Sequence, residues 1–433
     1  MKISLETLGC KLNQAETEAL ARQFVAAGHQ LAGRVEDADI YILNTCTVTG
    51  TADSKSRQLL RKARRQNPRA LIVVTGCYAD RAPLELAKLE EVNLVTGNDG
   101  KGSLLERLEE AHLVRPTSQS GAALPDDTVA TTSPSGGDNA ASVETPRSTR
   151  ISGAPTGLRT RASIKIQDGC RNFCAYCIVP YVRRVEKSVP PDEVLAQVKQ
   201  RVAEGYQEVV LTGTRIGAYE CGGITLKDLV GRILDETKIG RVRLSSIQPR
   251  ELSPGLLELW KDRRLCPHFH LSLQSGSNTV LARMRRRYTT TEFEQAVGWI
   301  RAMAPGVAIT TDVIVGFPGE TDTEFAESLE FCRRMGFARI HVFPFSARSG
   351  TEAAQMAAQV PANIKKERAR QMLALAEESA SRFREQFAGA EVDVLWEKQT
   401  GQGVWSGVTG NYLRVFKKDR KNLGNTVSKV KLG

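Results

Sequence analysis

The chain has 433 residues, of which 41% are hydrophobic and 25% charged, and its formal net charge is +11. That length is too great for one core and predicts two to four domains of ~100–200 residues each. No apolar run reaches the ~18 residues of a membrane-spanning helix, and Met1–Glu6 carries no apolar signal core, so a cytoplasmic location with no membrane attachment is expected.

Residues 1–113 are predicted to form an α/β domain. Ile3–Leu8, Asp39–Leu43 and Ala70–Thr75 read as strands, with helical patterns over Ala15–Ala27 and Ser54–Gln66 between them. Such alternation predicts a parallel sheet, whose strands present their carboxyl ends on one edge, where ligands bind. Each strand runs into a turn that bears a cysteine: Cys10, Cys46 and Cys77. The three should therefore converge. The alternative is three small buried hydrophobes, a common fate of cysteine.

Residues 114–155 read as a disordered linker. Between Pro116 and Arg150, 24 of 35 residues are Pro, Gly, Ser, Thr or Ala, and none is aromatic. Such a segment cannot bury enough apolar surface to offset its ordering entropy.

Residues 156–388 resume the alternation. Strands are predicted at Ala162–Gln167, Glu208–Thr212, Val242–Ile247, His268–Gln274, Val307–Val315 and Arg339–Phe345. Helices are predicted at Asp192–Glu204, Leu226–Glu236, Pro254–Lys261, Thr291–Met303, Glu320–Met335 and Ile364–Phe387. Six strand–helix units predict a partial (β/α)6 barrel. From residue 389 to 433 the pattern shortens, with alternation in Val392–Trp396 and glycines at 401, 403, 407 and 410. This is the signature of a small β-barrel, a fold that often binds oligonucleotides.

Charge is unevenly spread. Residues 401–433 hold seven basic residues and one acid, Asp419, while Lys55–Arg69 holds seven basic residues and none. Two such stretches favour a polyanionic partner, RNA or DNA, over plain solvated faces. Arg283, Arg285, Arg286 and Arg287 form a further cluster that either faces phosphates or lies in solvent.

The sharpest chemical signal is Cys170, Cys174 and Cys177, a C-x3-C-x2-C run directly after the first barrel strand. Three thiolates on one loop can hold three irons of a [4Fe–4S] cubane and leave the fourth open. A structural zinc would need a fourth ligand nearby, and no His or Cys follows closely. Cys221, Cys266 and Cys332 lack ligand spacing and read as packing residues, and His268 and His270 read as core or supporting residues. Gly316–Gly319 lacks the Lys-Ser/Thr of a phosphate loop.

The C-x3-C-x2-C loop, with aromatic Tyr176 before its last cysteine, resembles the radical S-adenosylmethionine (SAM) superfamily. The resemblance implies that Cys170, Cys174 and Cys177 ligate the cluster whose open iron binds SAM. It places Tyr176, Gly213, Thr214, Gln274, Thr311 and Gly316 around the SAM pocket. More narrowly, Thr7–Asn13, Asn44–Thr49, Thr75–Ala79, Ser245–Pro249, Gln274–Ser277, Gly316–Thr321 and Phe345–Thr351 resemble the signatures of the methylthiotransferases, and the C-terminal barrel resembles their RNA-binding TRAM domain. That family implies a second [4Fe–4S] cluster on Cys10, Cys46 and Cys77, a low-potential electron donor and a sulfur source. The residues flanking the first three cysteines look most like the branch that acts on threonylcarbamoyladenosine beside the tRNA anticodon. The other branches act on isopentenyladenosine in tRNA or on an aspartate of a ribosomal protein. A non-catalytic iron–sulfur RNA-binding protein is the alternative of another class.

Overall fold

The computed structural model describes residues 1–111, 113, 148–151 and 160–433. The first sheet has the order Gln30–Leu31, Lys2–Leu8, Ile40–Thr45, Leu71–Gly76, Leu94–Val95, all parallel. One departure concerns the expected linker. Residues Ser148–Ile151 add an antiparallel strand to Lys2–Leu8, because that strand's upper half has no other neighbour on this side. The remainder of the expected linker lies outside the described residues. The helices also start earlier than their apolar spacing indicated, at Lys11–Ala26 and Gly50–Gln66. Thr49 explains the second start, since its hydroxyl accepts from the Ala52 N–H at 3.3 Å.

Six parallel strands build the second unit: Arg161–Lys165, Glu208–Thr212, Arg241–Leu244 continued by Ser246–Ile247, His268–Leu271, Ala308–Val315 and Arg339–Pro344. The third strand bends at Ser245, so the ladder divides into a three-stranded and a four-stranded sheet. Among the described residues the sixth strand does not pair with the first, and the barrel is open there. Outward-facing side chains such as Val209, Leu244, Phe269 and Val342 join the helices in one continuous core. Capping boxes start three of those helices, at Thr225/Asp228, Thr289/Glu292 and Thr321/Glu324. The expected Pro254–Lys261 helix is a short α-turn followed by a 3₁₀ turn.

The C-terminal unit is a curled antiparallel sheet in the order Arg414–Lys418, Val404–Thr409, Glu391–Gly401, Val427–Lys431. Val394, Trp396, Trp405 and Val415 form its core. Its Thr409–Leu413 turn plugs the amino-terminal end of the barrel. There Tyr412 sits at φ 66°, under the Arg243 guanidinium at 3.9 Å, beside His268 at 4.5 Å and bonded to Arg161 at 2.8 Å. Burial would raise the phenol's pKa, but Lys11, Arg161 and Arg243 bring it down to about 8. No helix among the described residues is long and apolar enough to cross a membrane.

Candidate active site

The three cysteines of the first domain follow their strands at one sheet edge, and they do converge. Gly9 sits at φ +120°, and a Cβ there would lie 2.7 Å from the Cβ of Cys46. Gly76 sits at φ +97°, where a Cβ would lie 2.4 Å from the Thr45 carbonyl. Asn13 ties the ends together by donating to the Leu8 and Thr45 carbonyls at 3.0 and 2.9 Å. Cys46 and Cys77 are buried, and Cys10 keeps accessible surface. Burial, then the thiolates of Cys77 and Cys10, push the Cys46 thiol well up.

The second trio occupies the loop after the first barrel strand. Gly169 makes the turn at φ +78°, and a Cβ there would meet the Val185 carbonyl at 2.1 Å. Cys174 is buried, and Cys170 and Cys177 are half-buried. Burial pushes the Cys177 thiol up to about 12. Metal ligation would supply the positive charge that lets buried thiols such as Cys46 and Cys177 ionise. In neither trio do all three sulfurs lie within 4.8 Å of one another. A tetrahedral zinc, with Zn–S bonds of about 2.3 Å, would hold them roughly 3.8 Å apart. A cubane spreads its thiolates over separate irons, so the chemistry and spacing of the donors fit an iron–sulfur cluster.

A cavity of about 140 Å³ opens beside this second trio. Tyr176, Thr214 and Gln274 line it together with the three cysteines. Gln274 adopts φ 70° and bridges to Val313 in the next strand. Gly213 lies behind the lining, where a Cβ would be 2.6 Å from the Gln167 carbonyl. Thr311 and Gly316 fall elsewhere. The Thr311 hydroxyl is buried on the outer side of its strand and accepts from the Leu273 N–H at 3.0 Å. The Gly316 N–H donates to Glu320 at 2.9 Å, and Lys365 fills the space a side chain would need.

Several lining residues were not singled out for the SAM pocket in the sequence, although Ser246 and Gln248 lie within the Ser245–Pro249 signature. Ser246, Gln248 and Ser272 reach the cavity from the third and fourth strands. The arginine cluster divides: Arg283 pairs with Glu324 at 2.7 Å, Arg285 with Glu352 at 2.6 Å, and Arg286 turns inward. Arg286 donates to the Cys174 sulfur at 3.4 Å and to the Ser272 carbonyl at 3.3 Å. Spacing could not separate these neighbours.

The two cysteine-bearing loops are in contact. Cys77 packs against Ile178 and Val182, the residues just past Cys177. Beside this contact lies a buried charge network. Arg183 donates to Glu16 at 2.8 Å, to Asp168 at 2.7 Å and to Asn13 at 3.0 Å. Lys101 reaches Glu16 at 2.5 Å and Lys165 reaches it at 2.8 Å. Burial favours the neutral acid, yet Lys101 and Arg183 hold the Glu16 carboxyl well below its usual range. Glu16 stands on the helix that Cys10 begins and Asp168 stands two residues before Cys170, so the network joins the two cysteine loops.

Comparison with known proteins agrees with this architecture. Residues 2–97 match the uncharacterized protein family UPF0004, and residues 164–332 match the Radical SAM superfamily. The chain is 37% identical to the threonylcarbamoyladenosine tRNA methylthiotransferase MtaB of Bacillus subtilis, over 99% of this chain and 93% of that one. It is 37% identical to the Aquifex aeolicus protein of the same name, over 99% of both. A tRNA-2-methylthio-N(6)-dimethylallyladenosine synthase from Geobacillus thermodenitrificans is 34% identical, over 94% of this chain and 76% of that one. Among solved structures, the radical SAM methyltransferase TsrM of Kitasatospora setae superposes with a TM-score of 0.56 at 14% identity, over 82% of this chain and 73% of that one, a likeness of fold. With the cysteine signature, the barrel and full-length relatives in agreement, the chain belongs to the tRNA methylthiotransferase family of radical SAM enzymes.

Proposed function

We propose that this protein transfers a methylthio group to C2 of threonylcarbamoyladenosine beside the anticodon of tRNA. The observation that supports the reading is the packing of Cys77 on Ile178 and Val182, which brings the two cysteine-bearing loops into contact. Each trio would hold a [4Fe–4S] cluster, on Cys10, Cys46 and Cys77 and on Cys170, Cys174 and Cys177. When bound, the second cluster supplies an open iron for SAM and the electron that cleaves it, and the first supplies the site of sulfur delivery.

The chain's own residues bind and orient. Tyr176, Thr214 and Gln274 would line the SAM site, with Arg286 fixing Cys174 from the cavity side. The buried pair Arg183 and Glu16 ties the first domain to the barrel. Exposed Lys417, Lys418, Lys421 and Lys429 on the C-terminal sheet, and Arg61, Lys62 and Arg65 on the Gly50–Gln66 helix, offer phosphate contacts for an anticodon stem-loop. A low-potential electron donor and a sulfur source complete the reaction, and a tRNA enzyme of this kind would work in the cytoplasm.

Mass spectrometry of digested tRNA tests the reading, in a bacterium lacking its own methylthiotransferases, with and without this chain. The expected result is 2-methylthio-threonylcarbamoyladenosine only when the chain is expressed. Appearance of the isopentenyl product alone would move the substrate to that branch. Neither product, from protein with full iron content, would overturn the proposal.

A further inference from the structure

The inner wall of the barrel is polar. Alternation along the strands turns Val209, Val242, Phe269, Ile309 and Ile340 outward into the helical core, and sends Glu208, Arg243, His268, His270, Asp312 and His341 inward. A barrel interior is ordinarily filled with bulky aliphatic side chains. At the lower end these polar groups are packed and sealed, although the Nδ1 of His268, like that of His270, is buried with no partner. Arg243 pairs with Glu208 at 2.8 Å and covers Tyr412, and His268 bonds Thr310 at 3.2 Å.

Higher in the lumen the arrangement is different. His270, Asp312 and His341, from three adjacent strands, bring their polar atoms within 4.8 Å of one another. His270 Nε2 bonds Asp312 at 3.1 Å, while its Nδ1 is buried with no partner. The Asp312 side chain is 27% exposed although it points into the barrel, so the lumen has free space at this level. This space lies directly below the cavity at the second cysteine trio. Ser272, two residues beyond His270, lines that cavity, and the Asp312 carbonyl accepts from the Gln274 N–H at 2.8 Å. Two residues of strand span about 6.6 Å, the scale of a base substituent.

We infer that His270, Asp312 and His341 form a receptor for the N6 substituent of the target adenosine, selecting a substituent rich in N–H and O–H donors. The donor inventory decides the class. With Nε2–H given to Asp312, the Nδ1 of His270 is a bare acceptor, and the carboxylate keeps further lone pairs. A urea N–H and a hydroxyl satisfy such a site, whereas a branched hydrocarbon would leave its acceptors buried and unpaired. Arg286, whose charge acts on Asp312 from the cavity wall, supplies the cation for a carboxylate on the same substituent. The inference rests on the proposed function and specifies how that site chooses its base.

The test is binding, using anaerobically reconstituted full-length protein and two synthetic anticodon stem-loops, one with threonylcarbamoyladenosine and one with plain adenosine. Wild-type protein is expected to prefer the first by about ten- to hundredfold, the scale of hydrogen bonds to a charged group. Asp312→Asn and His270→Phe should each reduce that preference at least tenfold, with iron content unchanged. Equal weakening on both stem-loops would mark a structural role and overturn the inference, as would a preference that survives both substitutions. Equimolar manganese or zinc that binds the wild type but not Asp312→Asn would make the trio a metal site and overturn it too. If the wild type methylthiolates threonylcarbamoyladenosine yet shows no binding preference, the inference alone fails. If it does not methylthiolate, the proposed function fails with it.

Discussion

The two cysteine trios reach comparable environments by opposite routes. Cys170, Cys174 and Cys177 sit on one loop, set by a glycine turn and by local backbone bonds such as Cys177 N–H to Cys174 at 2.9 Å. Cys10, Cys46 and Cys77 come from three strands and meet only when the sheet assembles, with Asn13 stapling two of its strand ends. The loop trio depends on local geometry. The sheet trio depends on the whole first domain, and its alignment with the other depends on charges shared between domains.

The largest expected effect separates the trios by chemistry. Cys170→Ala should abolish SAM cleavage altogether, read as 5′-deoxyadenosine by chromatography. Cys10→Ala should leave cleavage running while removing the methylthio product from tRNA. Retained product in the second variant would end the two-cluster reading.

Next comes the strut between the trios. Arg183→Ala leaves Glu16 and Asp168 buried with one fewer cation, and breaking such a pair costs about 3–5 kcal/mol. Thermal unfolding should show a large fall in Tm, and product should fall more steeply than SAM cleavage. Equal losses of both would mean that the strut serves stability and not alignment.

Gly76→Ala probes the sheet trio alone. Its left-handed φ and the 2.4 Å approach to Thr45 predict a loss of about 1–3 kcal/mol, with iron falling toward one cluster per chain. Gly205→Ala shares a positive φ but meets nothing within 4 Å, so iron content should not change.

The smallest effect is one of pH. The Glu16 carboxyl is depressed in the folded state below its ordinary 4.5. Its contribution to stability is therefore present above about pH 4.5 and is lost as the pH falls below it. Glu16→Gln should flatten that part of a Tm-against-pH curve, and an unchanged slope would place the charge coupling elsewhere.

Much of this protein was legible along the chain. Strand alternation, helical spacing and the C-x3-C-x2-C run are local patterns, and Glu208–Thr212 and Leu226–Glu236 appear with the expected bounds. Convergence of Cys10, Cys46 and Cys77 also followed, because parallel strands necessarily end on one edge. Tertiary structure decided what local pattern cannot encode. Arg286 turns inward while its neighbours Arg283 and Arg285 pair at the surface, and nothing in the spacing of four arginines distinguishes them. Thr311 faces the outer core, whereas Asp312 faces the lumen beside His270 and His341. Arg183, Glu16 and Lys101 are brought together across 167 and 85 residues of chain. Periodicity is fixed by the backbone within a few residues, but the partner of a buried charge is settled only when distant strands close around it.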